Sequence, residues 1–371
     1  MHTADWQIGM RRHFLDEDAQ PRFVQARIDA IRTIARIVAE QGCSFVVVSG
    51  DVWESNQLDR RTVGRALDAL SSVPCPVYLL PGNHDPIDAG SVYRSSQFAS
   101  RKPANVHVLD AMPVQASPGV ELVGVPWPTK SPRRDLVAEV CGQLVPAPDV
   151  LRICAAHGIV DDLSPTKDDP ALISRAGMDA AVKDGRIHFF ALGDRHSATE
   201  VSDRIWYSGS PEATDHGETD SGRILIVDLA QDECNVSVCT TGRWRFVHET
   251  LTMMSSDDVK TTQRRLLEMS DKDVTILKVT LKGALSLGAK AQLDGILEEA
   301  RALFGALQIW ERHSELVVLP DDLDSAKLNL AGFAKSTLED LQARANAGGE
   351  ESVTARDALA LLYRLTAGVA L

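Results

Sequence analysis

The sequence predicts an α/β fold whose central sheet is largely parallel and buried on both faces. Short, continuous apolar runs such as residues 45–48 alternate, up to about residue 250, with segments of helical apolar spacing. Runs that are apolar at every position are typical of strands covered on both sides. Metal-capable side chains follow several of these runs directly, and sites in open α/β folds form at the carboxyl ends of strands. These observations together favour an α/β enzyme domain.

The predicted elements of this domain follow one another at short intervals. A first helix is expected over residues 21–40, where Ile28, Ile31, Ala35 and Val38 share one face. It ends at Gly42, and a buried strand and a second helix follow. The remaining predictions are a helix over 58–71 and strands over 45–48, 77–80, 122–125, 151–155, 188–192, 205–207 and 223–229.

The pattern changes after residue 250. Helices are predicted over 257–269 and 289–304, and strands over 274–281 and 309–319, an αβαβ unit long enough for a small separate domain. Helical spacing then relates Leu338, Leu341, Leu359, Leu362 and Leu365, with a break at residues 347–349. We therefore divide the chain into a domain of residues 1–250, a small domain of residues 251–325 and a C-terminal helical segment of residues 326–371.

The composition is that of an ordinary globular protein, with 44% hydrophobic and 25% charged residues. No apolar stretch approaches the roughly 18 residues of a membrane span, and the N-terminus lacks the apolar core of a secretory signal. The six cysteines form no CxxC pair, so we expect a reduced, cytoplasmic protein. A net charge of −13 argues against a broad nucleic-acid-binding face, although bound cations neutralise the carboxylates that hold them.

One arrangement recurs along the domain, in which an apolar run ends in a small residue and metal-capable side chains follow. The instances are FVVVSGDVWE with Asp51, VYLLPGNHD with Asn83 and His84, RICAAHG with His157, FFALGDRH with Asp194 and His196, and a shortened one, HTADWQ with Asp5. A single such aspartate is more often a helix cap, and a single histidine is more often a satisfied buried residue. We keep that second interpretation for His107, His188 and His313.

Five strand ends that bring Asp, Asn and His to one edge supply what a two-metal site needs, and such a site predicts phosphoester hydrolysis. Two divalent cations about 3.5–4 Å apart clamp the phosphate oxygens and lower the pKa of a bound water towards about 7. A neighbouring histidine then assists departure of the leaving oxygen. The sequence contains no GxSxG or P-loop string, which argues against the main competing hydrolase chemistries.

The order of these motifs resembles the signature of calcineurin-like metallophosphoesterases. The similarity extends to the SbcD type of DNA-repair exonuclease, whose opening resembles HTADWQIG and whose PGS-containing segment resembles YSGSPEATDHGE at residues 207–218. The resemblance covers nearly the whole chain, with its specific motifs in the first 220 residues. It implies a sandwich of two central mixed sheets flanked by helices, a capping domain formed by the αβαβ unit, and C-terminal helices.

The resemblance also implies a function and partners. The protein would be the DNA nuclease subunit of a repair complex, a homodimer that acts at the nucleoid with an SMC-like ABC ATPase bearing long coiled coils. The helices predicted after Leu328 would either dock this ATPase or pack on the capping domain. Arg11, Arg12 and His13, and a second group of Lys130, Arg133 and Arg134, would contact DNA phosphates, although short basic clusters are usually solvated surface.

Residue roles follow from the resemblance motif by motif. Asp51 would bridge two metal ions, with Asp5, Gln7 and His196 serving the first ion and Asn83, His157 and Asp194 serving the second. His84 would face the scissile phosphate, stabilise the transition state or protonate the leaving oxygen, and ligate neither ion. Asp85 would orient His84 through a hydrogen bond, and Glu54 would support the ligands from behind.

Two of these residues depart from the family pattern. Gln7 stands where the family usually has a histidine, and Asp194 stands where it has the first histidine of GHxH. Both changes replace nitrogen by oxygen, and oxygen-rich sites favour manganese or magnesium over zinc. We therefore expect two divalent ions, manganese with magnesium as the alternative, and a loosely held first ion.

Two other interpretations of the chain remain open. One is a small-molecule phosphodiesterase or phosphatase on the same scaffold, although such an enzyme has little use for the C-terminal domain. The other is a metal-free protein that binds DNA or the ATPase without catalysis, although it would not need the retained ligand set. Met1 lies close before Asp5, so we expect a very short first strand and either an upstream start or an added preceding residue.

Overall fold

The computed structural model describes residues 1–166, 168–319 and 332–347, together with residues 354, 355, 358, 359 and 362. The chain forms two compact units, Met1–Arg245 and Phe246–Leu371. Residue 250, at the first predicted domain boundary, lies inside a strand that spans Arg245–Met253. The predicted boundary at residue 325, the break at residues 348 and 349, and Leu365 lie outside the described residues. No helix in the described part of the chain is long and apolar enough to cross a membrane.

The first unit contains two six-stranded mixed sheets. Its elements in chain order are β1 (His2–Thr3), α1 (Ala19–Gln41), β2 (Val46–Val48), α2 (Arg60–Leu70), β3 (Val77–Leu79), α3 (Ser96–Arg101), β4 (Val106–Val108), β5 (Val114–Ser117), β6 (Val120–Gly124), α4 (Leu136–Gln143), β7 (Leu151–His157), α5 (Arg175–Lys183), β8 (Phe189–Gly193), β9 (Ala198–Ser202), β10 (Ile205–Ser208), β11 (Arg223–Leu229) and β12 (Cys234–Thr240). The first sheet has the order β12-β11-β1-β2-β3-β4, and the second has the order β5-β6-β7-β8-β10-β9.

The pairing explains why the sequence suggested one parallel sheet. Strands β1 to β4 are parallel, as are β6, β7, β8 and β10, whereas β5, β9, β11 and β12 pair antiparallel. The strands predicted from the apolar runs are largely parallel, as expected, but they belong to two sheets, so the prediction of a single sheet is wrong. The two mixed sheets flanked by helices that the family resemblance implied are confirmed.

Side chains alternate between two apolar layers along each central strand, because successive strand residues point to opposite faces. In the first sheet, Val47 packs between the sheets while Val46 and Val48 pack with the residues of α1 and α2. In the second, Phe189 lies between the sheets and Phe190 packs towards α4 and α5. The resulting helix–sheet–sheet–helix arrangement leaves the carboxyl ends of both sets of parallel strands available for a site.

Local signals set the ends of α1. Asp16 Oδ1 accepts hydrogen bonds from the backbone N–H of Asp18 (3.0 Å) and Ala19 (2.7 Å), so it caps the N-terminus. Pro21 fits the first turn, where its missing N–H is not needed. The helix ends at Gly42, whose φ of 63° places it in the left-handed region that glycine adopts readily.

The second unit is built around β14. Its elements, beginning with the strand that crosses the division between the units, are β13 (Arg245–Met253), α6 (Ser256–Glu268), β14 (Thr275–Ser286), α7 (Leu287–Arg301), β15 (Ala306–Ile309), β16 (Glu315–Leu319) and α8 (Phe333–Ala347). β15 pairs in parallel with the first half of β14, and β16 pairs in parallel with its second half. The single strand predicted over residues 309–319 is wrong, because a turn at Glu311–His313 divides it, and β13 was not predicted.

The C-terminal helical residues pack on this same unit. Leu338 of α8 forms an apolar cluster with Ala355 and Leu359, and Val317 of β16 packs against it. These helical residues therefore pack on the unit predicted to be the capping domain. Docking of an ATPase by the same helices stays a prediction.

The sequence predicts that three histidines are satisfied buried residues, and the structure confirms this for one of them. His188 is buried, and its Nδ1 accepts a hydrogen bond from the backbone N–H of Arg152 at 3.0 Å. His107 and His313 are exposed, and their rings lie against Tyr78 and Trp310. The interpretation was wrong for these two because an apolar sequence neighbourhood does not fix which face of a strand or turn a side chain occupies.

Candidate metal centre

Three buried side chains at strand ends form the centre of a candidate metal site. Asp5 follows β1, Asp51 follows β2 and His157 ends β7, and their ligand atoms all lie within 4.8 Å of one another. Only 1%, 2% and 3% of their surfaces are exposed. His157 Nδ1–H donates to the Ser49 carbonyl at 2.9 Å, which leaves Nε2 as the ligand atom. The cluster joins the two sheets, since Asp5 and Asp51 come from the first and His157 comes from the second.

Three side-chain oxygens lie near His157 Nε2, two of them from residues outside this cluster. Asn83 Oδ1 lies 2.7 Å away, Asp194 Oδ1 lies 3.6 Å away, and Asp51 Oδ1 lies 3.5 Å away. The structure therefore brings Asp51 together with the residues predicted to serve the second ion. One imidazole nitrogen, two carboxylate oxygens and one amide oxygen converge here, a donor set suited to a divalent cation of intermediate hardness.

The residues predicted to serve the first ion also lie together. His196 Nε2 is 3.9 Å from Asp5 Oδ1 and 3.2 Å from the side-chain nitrogen of Gln7. Gln7 is 2% exposed, and its Oε1 has no hydrogen-bond partner within the described part of the chain. A buried oxygen without a donor costs roughly 1–3 kcal/mol. A cation beside Gln7 would satisfy this oxygen, so the residues present fit a metal ion.

The electrostatics of the cluster are dominated by several buried carboxylates that lie close together. Burial raises the pKa of Asp5 to about 7. Burial alone would lower the pKa of His157, but the nearby carboxylates of Asp51, Asp5 and Asp194 outweigh it and raise that pKa to about 9. The pKa of Asp194 is also raised by burial. These carboxylates therefore hold protons on themselves or on the imidazoles unless a cation replaces the protons.

The backbone at the site is strained. Of the five non-glycine residues with positive φ in the described part of the chain, four are predicted ligands: Asp5 (54°), Gln7 (44°), Asp51 (49°) and Asp194 (94°). Residues other than glycine rarely adopt such angles, and each costs of order 1–3 kcal/mol. The strained residues follow the strand ends, where the backbone turns so that their side chains point into the cluster.

Three glycines make room for the predicted ligands. A Cβ on Gly50 would lie 2.1 Å from His157 Nδ1, and one on Gly82 would lie 2.3 Å from Asp51 Oδ1. A Cβ on Gly193 would lie 1.9 Å from the Ser49 carbonyl oxygen. Each glycine belongs to one of the recurring motifs, so the small residue before the metal-capable side chain has a steric reason.

His84 lies beside the cluster, but its side chain is more exposed than those of Asp5, Asp51 and His157. Its Nδ1–H donates to the Glu54 carbonyl at 2.9 Å, and its backbone N–H donates to Asp51 Oδ1 at 2.9 Å. Its side chain remains 37% exposed, with Nε2 3.9 Å from Asp51 Oδ2. Glu54 thus positions the His84 ring through its backbone carbonyl, which leaves Nε2 available for a ligand.

The predicted hydrogen bond from Asp85 to His84 is wrong. The Asp85 carboxylate is fully buried and accepts from the backbone N–H groups of Gly82 (2.7 Å) and Trp53 (3.0 Å) and from the Tyr93 hydroxyl (2.7 Å). Burial raises its pKa to about 6. Asp85 therefore ties the loop that carries Asn83 and His84 to the loop after β2, rather than touching the imidazole.

Replacing Asp85 by alanine is expected to destabilise the protein by about 3 kcal/mol, because three buried donors lose their acceptor. Urea unfolding followed by circular dichroism measures this loss. The matched variant is Asp110→Ala, which removes an exposed carboxylate that accepts one backbone hydrogen bond, from Met112 at 2.9 Å. Equal stability of the two variants would contradict the role given to Asp85.

His196 is oriented by residues that sequence reasoning missed. Its Nδ1 lies 2.9 Å from Glu218 Oε1 and 2.7 Å from Thr214 Oγ1, and Glu218 Oε2 accepts from the Thr214 backbone N–H at 2.9 Å. Burial lowers the pKa of His196, but the hydrogen bond to Glu218 and the charge of Asp5 outweigh it and raise that pKa to about 9. Both residues lie in the segment YSGSPEATDHGE, where the resemblance singled out no individual side chain.

Two arginines hold this segment in place. Arg27 is 2% exposed, and its Nη2 donates to the Ala213 carbonyl at 3.1 Å. Arg12 donates to the next carbonyl, that of Thr214, from Nε (3.2 Å) and Nη2 (2.5 Å). Arg27 was missed because its charge gave no sign of burial within the amphipathic pattern of α1.

Replacing Glu218 by glutamine is expected to weaken binding of a divalent cation by about tenfold, because the charged acceptor behind His196 is lost. Isothermal titration calorimetry with Mn²⁺ on metal-stripped protein measures the change. Glu200→Gln, at an exposed position of β9, provides the matched control. An unchanged affinity in Glu218→Gln would show that Glu218 does not support the ligand.

Of the residues predicted to contact DNA, only one lines the cavity beside the cluster. Arg12 lines the cavity beside the cluster, although two of its nitrogens already bind the Thr214 carbonyl. Arg11 and His13 are exposed, as are the three residues of the second group, Lys130, Arg133 and Arg134. Arg134 forms an ion pair with Glu139 at 2.8 Å. A further cation, Arg195, was not predicted and does line the cavity.

The cavity next to the cluster has a volume of about 540 Å³. Its polar wall includes Gln7, Glu54, His84, Asp194 and His196, and its apolar wall includes Met10, Ile159, Leu163 and Pro165. A cavity of this size accommodates a ligand of roughly nucleotide size rather than phosphate alone.

The fold and the cluster define a class of protein. Metal-capable side chains from the ends of parallel strands in two packed sheets, beside an open cavity, are the arrangement of a metal-dependent hydrolase of the α/β sandwich type.

Comparison with known families makes this assignment specific for the first part of the chain. Residues 1–158 match the family described as calcineurin-like phosphoesterase, so this part of the chain is similar to a calcineurin-like metallophosphoesterase domain. The match includes the motifs of Asp5, Asp51, Asn83 and His157. This family uses divalent metal ions and hydrolyses phosphoesters.

Solved structures also resemble the chain. The crystal structure of TT1561 of Thermus thermophilus shares 10% identity over 57% of this chain and 93% of its own, with a TM-score of 0.40. A second crystal structure shares 15% identity over 58% of this chain and 95% of its own, with a TM-score of 0.39. No curated protein matches the chain.

Proposed function

We propose that this protein is a metal-dependent nuclease that hydrolyses phosphodiester bonds in DNA. The observation that carries the proposal is the pair of donor sets around Asp51, placed beside His84 at one wall of a cavity. Asn83, His157 and Asp194 would hold one divalent cation, and Asp5, Gln7 and His196 would hold the other. Bound there, the cations would polarise the phosphate and supply an activated water.

The side chains of this protein would do the remaining work. The Glu54 carbonyl occupies the Nδ1–H of His84, so Nε2 is the nitrogen that faces a bound phosphodiester. A protonated Nε2 would donate its proton to the departing sugar oxygen. Glu218 would hold His196 in the tautomer that presents Nε2 to a cation.

Three features support DNA as the substrate. The motifs resemble those of SbcD-type exonucleases, including the segment that carries Thr214 and Glu218. The cavity is larger than a phosphate requires, and Arg12 and Arg195 contribute positive charge to its wall. The second compact unit, Phe246–Leu371, is more than a small-substrate phosphatase needs.

The metal proposed is manganese. Gln7 and Asp194 present oxygen at positions where the family usually has imidazole, and the harder donor set favours Mn²⁺ or Mg²⁺ over Zn²⁺. Metal-stripped protein should recover activity with Mn²⁺, and full recovery with Zn²⁺ alone would exclude this choice.

The proposed partners and place in the cell follow from the same resemblance. The nuclease would work as a homodimer with an SMC-like ABC ATPase on DNA, in the cytoplasm at the nucleoid. Light scattering of the purified chain tests the homodimer. A neighbouring reading frame that encodes a long coiled-coil ATPase would provide the partner for a reconstitution.

One assay separates the three candidate functions. The full chain with Mn²⁺ is incubated with linear DNA and, separately, with bis(p-nitrophenyl) phosphate. Hydrolysis of both supports the nuclease. Hydrolysis of the small ester alone indicates a small-molecule phosphodiesterase. Hydrolysis of neither, with metal bound as measured by mass spectrometry, indicates a non-catalytic protein.

A further inference from the structure

The apolar wall of the cavity is formed by a short segment directly after the ligand His157. Ile159 is 41% exposed and Leu163 is 36% exposed, and both line the cavity together with Pro165. Exposed aliphatic side chains grouped beside a reactive cluster are a common sign of a ligand contact, whereas scattered ones need no explanation. The other exposed large aliphatics described in the first unit, such as Val145 and Val238, do not line this cavity.

The segment is held in place from behind. The buried Tyr207 hydroxyl donates to the Gly158 carbonyl at 2.8 Å and accepts from the Val160 backbone N–H at 2.9 Å. The Ile159 carbonyl accepts from the Ile173 N–H at 2.9 Å. Ile159 is therefore fixed on both sides along the backbone, and its side chain keeps its exposure to the cavity instead of folding into the core. A preformed apolar surface loses little conformational entropy when a ligand covers it.

We propose that Ile159 and Leu163 form a subsite for the nucleobase next to the scissile phosphate; this inference rests on the proposed nuclease function. An aliphatic surface covers one face of a planar base and removes it from water. Isoleucine, leucine and proline side chains carry no hydrogen-bond donor or acceptor, so the subsite would accept all four bases. With the metal ligands on one wall and this surface on another, a nucleotide would place its phosphate and its base in different parts of one cavity.

The test compares two single-stranded oligonucleotides that differ only at the terminal nucleotide, which either carries its base or is abasic. Ile159→Asn and Leu163→Asn are expected to lower kcat/KM for the base-bearing substrate by about tenfold and to leave the abasic substrate nearly unchanged. The matched control is Val238→Asn, an exposed aliphatic on β12, which should change neither rate. Melting temperatures of the variants check that the fold is retained.

Two results would overturn the subsite. Equal losses on both oligonucleotides, or no loss on either, would show that the wall does not contact the base. A different result bears on the proposed function itself: wild-type protein that hydrolyses bis(p-nitrophenyl) phosphate but neither oligonucleotide is not a nuclease, and the subsite is then rejected with it.

Discussion

Replacing His84 by alanine is expected to lower kcat on DNA by about a thousandfold while the metal content of the protein stays unchanged. His84 Nδ1–H is fixed to the Glu54 carbonyl, and its ring is more exposed than those of His157 and His196. The departing sugar oxygen is a poor leaving group without a proton, whereas nitrophenolate leaves readily as an anion. The loss should therefore be much smaller on bis(p-nitrophenyl) phosphate than on DNA.

Kinetics on both substrates with saturating Mn²⁺, beside metal analysis by mass spectrometry, measure this difference. His107→Ala, at an exposed position of β4 outside the cavity lining, serves as the matched histidine control. Equal losses on the two substrates would mean that His84 stabilises charge on the phosphate rather than delivering a proton. Full activity on DNA would remove His84 from the mechanism.

Replacing Gly193 by alanine is expected to destabilise the protein by about 3 kcal/mol or more, and to weaken metal binding as well. The added Cβ would lie 1.9 Å from the Ser49 carbonyl oxygen and 2.9 Å from His157 Nδ1. Ser49 is the acceptor that orients His157, so the strand end and the ligand must both shift. Backbone cannot give way as a flexible side chain can.

Urea unfolding and Mn²⁺ calorimetry together measure the effect. Gly142→Ala is the matched control, because it makes the same change in α4, where nothing lies within 4 Å of the new Cβ. That variant should be more stable than the wild type by up to about 1 kcal/mol, as expected for alanine in a helix. A Gly193→Ala protein as stable as Gly142→Ala would show that the packing at this strand end is loose.

The sequence indicated which side chains lie together, because each predicted ligand comes at or after the end of a strand, and strand ends of this kind meet in space. It could not distinguish one sheet from two, since a strand buried between a sheet and a helix layer and one buried between two helix layers carry the same apolar pattern. β13 was missed because it contains no continuous apolar run: from Val247 to Met253 its half-buried or buried residues alternate with exposed ones.

The hydrogen-bond partners of the site residues were harder to predict from the sequence than the place of these residues in the fold. Asp85 is adjacent to His84 in sequence, yet its carboxylate turns to Gly82, Trp53 and Tyr93. Glu218 supports His196 from a separate loop, and sequence separation gave no signal for that pair. Such choices depend on which donors are buried nearby, which only the folded chain determines.

The donors come from both sheets, with Asp5, Asp51 and Asn83 carried by the first and His157, Asp194 and His196 by the second. Cation binding is therefore thermodynamically linked to the cohesion of the whole sandwich. At a free concentration one hundred times its dissociation constant, one ion would add about 2.7 kcal/mol to the free energy of unfolding. Chelation would then act twice, by stopping turnover and by lowering the temperature at which the two sheets separate.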